Sequence, residues 1–421
     1  MNNFNTETYE MKREIANFSK KLTKNSNKIQ KKFTLDMLYG ISKSKSVLLS
    51  SISDSLIEKT KRINTIDRLS VNLDKDLDPC INENYLKLAI NELDEKPIII
   101  VDDSDVVKPT ANKFEDLGVV RDGSKSTKSK NVYEKGYHVT EMVGMTKNQK
   151  QPISLYSHIH SSMEKEYTSD NAETFKALDT VITALNRKAI FTFDRGYDFN
   201  NLFKYMENNE QDYVIRLTEK RNIFYHGKWY KSTTLRDSRK GKIKMNMWFQ
   251  EEEKECYATH LKVQITASKK YINLVLVYGL GDVPMMLATS LNIFGKKDVI
   301  NVVRTYMSRW RIEEYFKFKK QEYGFENFRV RGLRAINNLN KMLSYTLGII
   351  AMLAEKLHKN NLVNKILKRA NSLRDDVLLW GYQLSRGIYK ILSYAKTGIR
   401  DWQNIRKTKV IDNQLYIKLP C

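Results

Sequence analysis

The sequence predicts an α/β fold, a mixed sheet flanked by helices, with a β-rich insertion and helical regions toward both ends. Three observations carry this. Two short apolar runs, 97–101 (Pro-Ile-Ile-Ile-Val) and 189–193 (Ala-Ile-Phe-Thr-Phe), have the length of buried strands, and each is followed at once by an aspartate. Segments with helical spacing alternate with such runs through the middle of the chain. Residues 219–290 then change character and alternate apolar and polar between polar turns.

Taken in order, residues 1–90 are rich in Lys, Asn and Ser and carry three stretches of helical spacing, MKREIANFSKKL, FTLDMLYGISKSKSVLLSSIS and NENYLKLAINEL. A small basic helical domain here suits DNA-end binding, or equally a helical cap on the domain that follows. The catalytic α/β domain is expected over 91–345. Its first strand, 97–101, ends on Asp102-Asp103-Ser104, and a polar loop fills 106–135. Two alternating strands follow at 136–146 and 151–161. Residues 171–187 read as a helix capped by Asp170, with Glu173 three residues on. The strand 189–193 ends on Asp194-Arg195-Gly196, a short helix covers 199–209, and 213–218 is a further strand. If the first and fourth strands are neighbours, Asp102 and Asp194 converge at their carboxyl ends, where open α/β sheets build sites. After the insertion at about 219–290 comes a long helix, 299–320. The remainder, 346–421, is expected to be helical, covering the sheet or forming a dimer interface.

Composition bounds the function. At 421 residues the chain has room for two or three domains, and 41% hydrophobic with 29% charged residues is globular usage. The net charge of +23 is spread along the chain, which favours a polyanionic partner, nucleic acid first, over the bland reading of lysine inflation by an AT-rich genome. Cys80, Cys256 and Cys421 are odd in number and far apart, so neither a disulfide framework nor a zinc site is expected. No apolar run reaches membrane-spanning length and the amino-terminal residues lack a signal pattern, which points to the cytosol.

The stretch 299–320 holds the chemistry. On one ideal helix Tyr306, Arg309, Glu313 and Lys320 fall within a sector of roughly 60°. The stripe alone fits a solvated face with an Arg309–Glu313 pair as well as it fits a site. Each aspartate alone fits turn chemistry, and Asp102 and Asp103 compete for one role. Together, Asp102, Asp194 and Glu313 are the oxygen ligands that divalent metal requires, and two such ions can serve in-line phosphoryl displacement. The remaining candidates weigh less. His158 and His160 alternate on one strand with no third ligand near. Trp229 and Trp248 read as core aromatics before base-stacking ones. Arg329, Arg331 and Arg334 line either a DNA path or a solvated loop.

Tyr306-Met-Ser-Arg309-Trp-Arg-Ile-Glu313-Glu-Tyr-Phe-Lys-Phe-Lys-Lys320 resembles the Y-(2)-R-(3)-E-(6)-K signature of bacterial insertion-sequence DDE transposases, cut-and-paste enzymes of the RNase H-like and retroviral-integrase superfamily. Asp102-Asp103-Ser104 resembles the family's first acidic motif and Phe193-Asp194-Arg195-Gly196 its second, and the resemblance spans roughly 97–345. It implies an RNase H-like catalytic domain. It implies Mg²⁺, with Mn²⁺ substituting, held by Asp102, Asp194 and Glu313, and it selects Asp102 over Asp103. It implies cleavage of double-stranded DNA at terminal inverted repeats and transfer of the 3′-OH into target DNA, by a homodimer in the DNA complex. Tyr306, Arg309 and Lys320 would hold the DNA end, with Arg329 and Arg331 along its path. Met285 falls where the family has a base-stacking Trp. Two other readings compete: a catalytically silent DNA-binding protein of transposase descent, and a metal-dependent nuclease without strand transfer.

Overall fold

A computed structural model of the chain describes residues 2–127, 129–249, 252–371 and 379–404. Cys421 and the last part of the expected carboxyl-terminal helical region lie outside these. The amino-terminal region is helical as expected: α1 (Asn2–Leu22), α2 (Lys28–Ser44), α3 (Leu49–Leu56), α4 (Arg62–Leu73) and α5 (Pro79–Ile90). Local chemistry sets their ends. Asn27 caps α2 through the Gln30 amide, and Asp78 caps α5, which begins on a proline that has no amide hydrogen to satisfy.

The strands follow as β1 (Ile98–Val107), β2 (Gly118–Arg121), β3 (Tyr133–Met145) and β4 (Pro152–His160). Next come α6 (Asp170–Leu185), β5 (Ile190–Phe193), α7 (Asn200–Asn208) and β6 (Asp212–Arg216). In space β4, β3 and β1 are antiparallel neighbours, and β5 and β6 lie parallel to β1 in the order β4-β3-β1-β5-β6. This is the five-strand arrangement of an RNase H-like domain, with helices on both faces. The expected meeting of the first and fourth strands is therefore present, with Ile100 beside Thr192.

Several expectations are corrected. The first strand does not stop at Asp102. Its pairing with β5 ends at Ile100, but its pairing with β3 continues to Val107 opposite Gly136, so its backbone groups remain satisfied. The loop expected over 106–135 accordingly contains the end of β1, all of β2 and the start of β3. The cap of α6 is Ser169, whose hydroxyl accepts from the Ala172 amide, and Asp170 lies within the first turn.

The β-rich segment is not a separate body. It comprises β7 (Asn222–Tyr225), β8 (Lys228–Lys231), the short α8 (Ser232–Asp237), β9 (Ile243–Phe249), β10 (Glu252–Ile265), β11 (Ser268–Tyr278) and β12 (Met285–Thr289). β12 pairs antiparallel with β6, so these strands prolong the same sheet in the order β12-β11-β10-β7-β8, with β9 on β10. Trp229 and Trp248 are 54% and 58% exposed, so the core reading of both is overturned.

The long helix expected over 299–320 is three pieces: α9 (Lys296–Met307), α10 (Trp310–Lys317) and a π-helical turn, Phe318–Glu322. At the junction Arg309 N bonds to Tyr306 O and Arg311 N to Ser308 O, three-residue bonds that tighten the turn. α9 closes a second apolar core against one sheet face, where Val299, Val303 and Tyr306 meet Val214, Val275 and Leu287. Beyond the π turn come α11 (Leu333–Ala354), α12 (Asn361–Ala370) and α13 (Gly381–Ser393). α11 is buried along nearly its whole length against β4 and α2, which makes it an interior helix.

Candidate active site

Asp102 and Asp194 are placed by strand register. Each lies two residues beyond the paired residues Ile100 and Thr192 on neighbouring parallel strands, so both side chains sit on one face where the strands part. Asp194 also caps the turn after β5, its Oδ1 accepting from Gly196 N at 2.6 Å. Asp103 points to the opposite face. There it accepts from Thr140 Oγ1 at 2.8 Å and from Tyr197 OH at 2.7 Å. Asp102 thus faces α10, while Asp103 is engaged behind the sheet.

Arg309 joins the site residues. Its Nη1 lies 2.9 Å from Asp102 Oδ2 and its Nη2 lies 2.7 Å from Glu313 Oε1, so one guanidinium bridges a strand carboxylate and a helix carboxylate. Its Nε is buried and has no acceptor among the described residues. Burial pushes the Asp102 carboxyl up to about 7; Arg309 opposes this, and the nearby Asp194, Asp103 and Glu313 charges add to it. On the site face Asp102, Asp194 and Glu313 therefore bring three carboxylates around one guanidinium, with Asp103 adding its charge from behind the sheet.

That donor set fits a divalent cation. It is hard oxygen, partly desolvated, and carries more negative charge than Arg309 alone balances. Among the described residues no three His, Cys, Asp or Glu side chains are drawn close enough to hold an ion as they stand. The guanidinium supplies the positive charge between Asp102 and Glu313.

The rest of the stripe is divided by the helix break. Tyr306 is 2% exposed inside the second core, with the Arg216 charge near its hydroxyl. Lys320 turns toward β1, donating to Asp105 O at 2.5 Å and pairing with Glu326 at 3.1 Å. Met285 is buried in the second core and is not presented at the mouth of the site. Arg329 and Arg331 are exposed on the segment before α11, and Arg334 pairs with Asp76 at 3.4 Å.

Four residues with a part in this geometry escape the sequence reading. Arg216 ends β6 on the site face beside Tyr306. Tyr197 ties the turn after Asp194 to Asp103. Lys319 and Glu141 form a wholly buried pair between the π turn and β3. The signal for Arg216 was present, since a cation at a strand's carboxyl end repeats the position of the two aspartates. The pairing of Lys319 with Glu141 spans 178 residues and had no local signal.

A family model described as a transposase DDE domain matches residues 94–347. Among solved structures the chain is similar to a cryo-EM structure of a piggyBac transposase synaptic complex with hairpin DNA. The identity is 10% and the TM-score 0.46, over 94% of this chain and 81% of that chain. No curated protein sequence matches the chain.

Proposed function

The chain belongs to the DDE transposase domain family, and from that premise we propose that it cleaves double-stranded DNA at the inverted-repeat ends of an insertion sequence and joins the freed 3′-OH to target DNA. In the first step water attacks a phosphodiester at the element's end, leaving a 3′-OH and a 5′-phosphate. In the second that 3′-OH attacks a target phosphodiester and displaces a target 3′-oxygen. Asp102, Asp194 and Glu313 would hold Mg²⁺ or Mn²⁺, which when bound supplies Lewis-acid activation of the attacking oxygen and charge stabilisation of the leaving one.

The residues of the chain do the rest. Arg309 is aimed by its two carboxylate contacts, and its guanidinium would bring positive charge to a phosphate oxygen bound beside them. Lys320 supplies a point charge along β1. Tyr306 with Arg216 supports the helix turn that carries Arg309. Arg329 and Arg331 extend the basic path. Two ends are processed together, which calls for a homodimer on DNA, and the work takes place in the cytosol. Among the described residues no helix is long and apolar enough to cross a membrane.

The observation that carries this reading is the bridging of Asp102 and Glu313 by Arg309, with Asp194 on the same face. Carboxyl ends of neighbouring parallel strands are where open α/β sheets place such sites, which supports the reading. The test is cleavage of DNA bearing the element's ends. Glu313→Gln should abolish cutting with Mg²⁺ while retaining DNA binding within about threefold, the range of a surface charge change. Normal cutting by Glu313→Gln would remove the assignment.

A further inference from the structure

The face that carries Asp102 runs on across the whole sheet. Ile100 is opposed to Thr192, Thr192 to Val214, Val214 to Thr289, Thr289 to Asn273 and Asn273 to Lys262. Opposed residues project to the same side of a sheet, so one face extends from Asp102 to Lys262. α9 covers its middle.

Past α9, on β10, β11, β7 and β8, exposed side chains lie on the same face. Gln264 is opposed to Phe224, and Phe224 to Trp229. Trp229 is 54% and Tyr271 58% exposed, while Ile223, Val263, Ile265 and Ile272 on the reverse side are buried. The aromatics here therefore do not fill a core. Phe224 and Trp229 have ring centroids 5.4 Å apart, and Lys262 Nζ lies 5.9 Å from the Tyr271 ring centre. Lys231, opposed to Asn222, adds a second exposed ammonium. No Asp or Glu occurs in 222–231, 260–264 or 271–273.

Rings that are half in water, interleaved with ammonium groups and free of carboxylates, suit one kind of occupant. Unpaired bases offer flat faces to stack on Trp229 and Tyr271, and the strand's phosphates neutralise Lys231 and Lys262. A duplex keeps its base faces hidden and would use only the lysines. The net charge of +23 over the whole chain favours a polyanionic partner. We propose that this end of the sheet is a docking surface for an unpaired stretch of DNA, separate from the carboxylate site. The surface is independent of the roles given to Asp102, Asp194 and Glu313.

The test uses the full chain with EDTA, so that cleavage plays no part. Binding of a labelled oligothymidylate of about 30 nucleotides and of a duplex of equal length is followed by fluorescence anisotropy across a salt series. Trp229→Ala combined with Tyr271→Ala should weaken oligothymidylate binding by at least about tenfold and duplex binding by less than about twofold. Tyr394→Ala, at another exposed tyrosine, should leave both unchanged. Lys231→Glu with Lys262→Glu should weaken both ligands and flatten the single-strand salt dependence by between one and two log units of slope. This pair lies at exposed positions, so it keeps the test available if the aromatic variant fails to fold. Oligothymidylate binding unchanged in either double variant would overturn the proposal. So would a wild-type dimer, seen by sedimentation, that the aromatic variant dissociates, because the face would then be an interface between copies.

Discussion

Lys319 Nζ lies 2.8 Å from Glu141 Oε2, and neither side chain has any accessible surface. Glu141 also accepts from Ser154 Oγ at 2.5 Å and Ser157 Oγ at 2.6 Å, and Lys319 donates to Asn340 Oδ1 at 2.9 Å. Glu141 is opposed to Asp102 in the β1–β3 ladder, and Lys319 lies six residues beyond Glu313. The pair thus fastens the segment after α10 to the strand beside Asp102. A widened π turn suits two adjacent lysines with different tasks, Lys319 reaching the sheet and Lys320 reaching Asp105 O.

Removing one partner leaves the other as an uncompensated buried charge. Lys319→Met should therefore cost about 3–5 kcal/mol, read from denaturant unfolding. Lys319→Met combined with Glu141→Leu should recover most of that loss, because no buried charge remains. A single variant within about 1 kcal/mol of wild type would mean that the pair does not hold the segment down.

Arg309 and a divalent cation compete for the same carboxylates. Removing the guanidinium frees Asp102 and Glu313 from two charge-assisted hydrogen bonds of 2.9 and 2.7 Å. Arg309→Ala should then bind Mn²⁺ about ten- to a hundredfold more tightly, measured by calorimetry or paramagnetic resonance without DNA. DNA cleavage by the same variant should fall. Weaker Mn²⁺ binding would show that Arg309 organises the carboxylates and does not hold their place.

The five-strand core was legible because buried parallel strands are written as short apolar runs, and the aspartates after two of them marked where the strands part. Glu313 and Arg309 were legible from their spacing of four. The extended β1 was not, because its last residues pair only with β3, and polar strand ends look like loop. The break at Ser308 was equally hidden, since the sequence there has neither glycine nor proline, and tertiary packing of α9 and α10 against different surfaces decides it. Nor could composition tell an extension of the sheet from a separate insertion; that rests on the pairing of β12 with β6.

Tyr197 ties the turn that follows Asp194 to Asp103, the neighbour of Asp102. Its hydroxyl donates to Asp103 Oδ2 at 2.7 Å, and its ring packs on Phe193 with centroids 5.4 Å apart. Tyr197→Phe keeps the ring and deletes the donor, which should cost about 1–3 kcal/mol of stability. Cleavage should slow more than DNA binding weakens, since the change moves ligands and not the DNA path. Equal effects on both would indicate general loosening.

His160 sets an acid limit on the fold. It is 2% exposed, and burial pushes its imidazole from 6.5 down to about 4. Thr140 Oγ1 donates to Asp103, so the 3.0 Å contact between Thr140 and His160 Nε2 places the imidazole proton on Nε2. Nδ1 has no partner among the described residues, and protonating it would bury an unpaired charge. The folded pKa lies below the unfolded one, so the unfolded chain binds the proton first. Stability from this residue is complete above 6.5 and is lost as pH falls from 6.5 toward about 4. Between about pH 7 and about pH 5 the loss should come to about 2 kcal/mol. The carboxylates add their own acid dependence, so the comparison is with His160→Gln, which keeps a neutral donor toward Thr140 and cannot titrate. Unfolding free energies at the two pH values should differ by about 2 kcal/mol less in this variant than in wild type. The same difference in both proteins would show that His160 is already charged in the fold or that its burial yields to water.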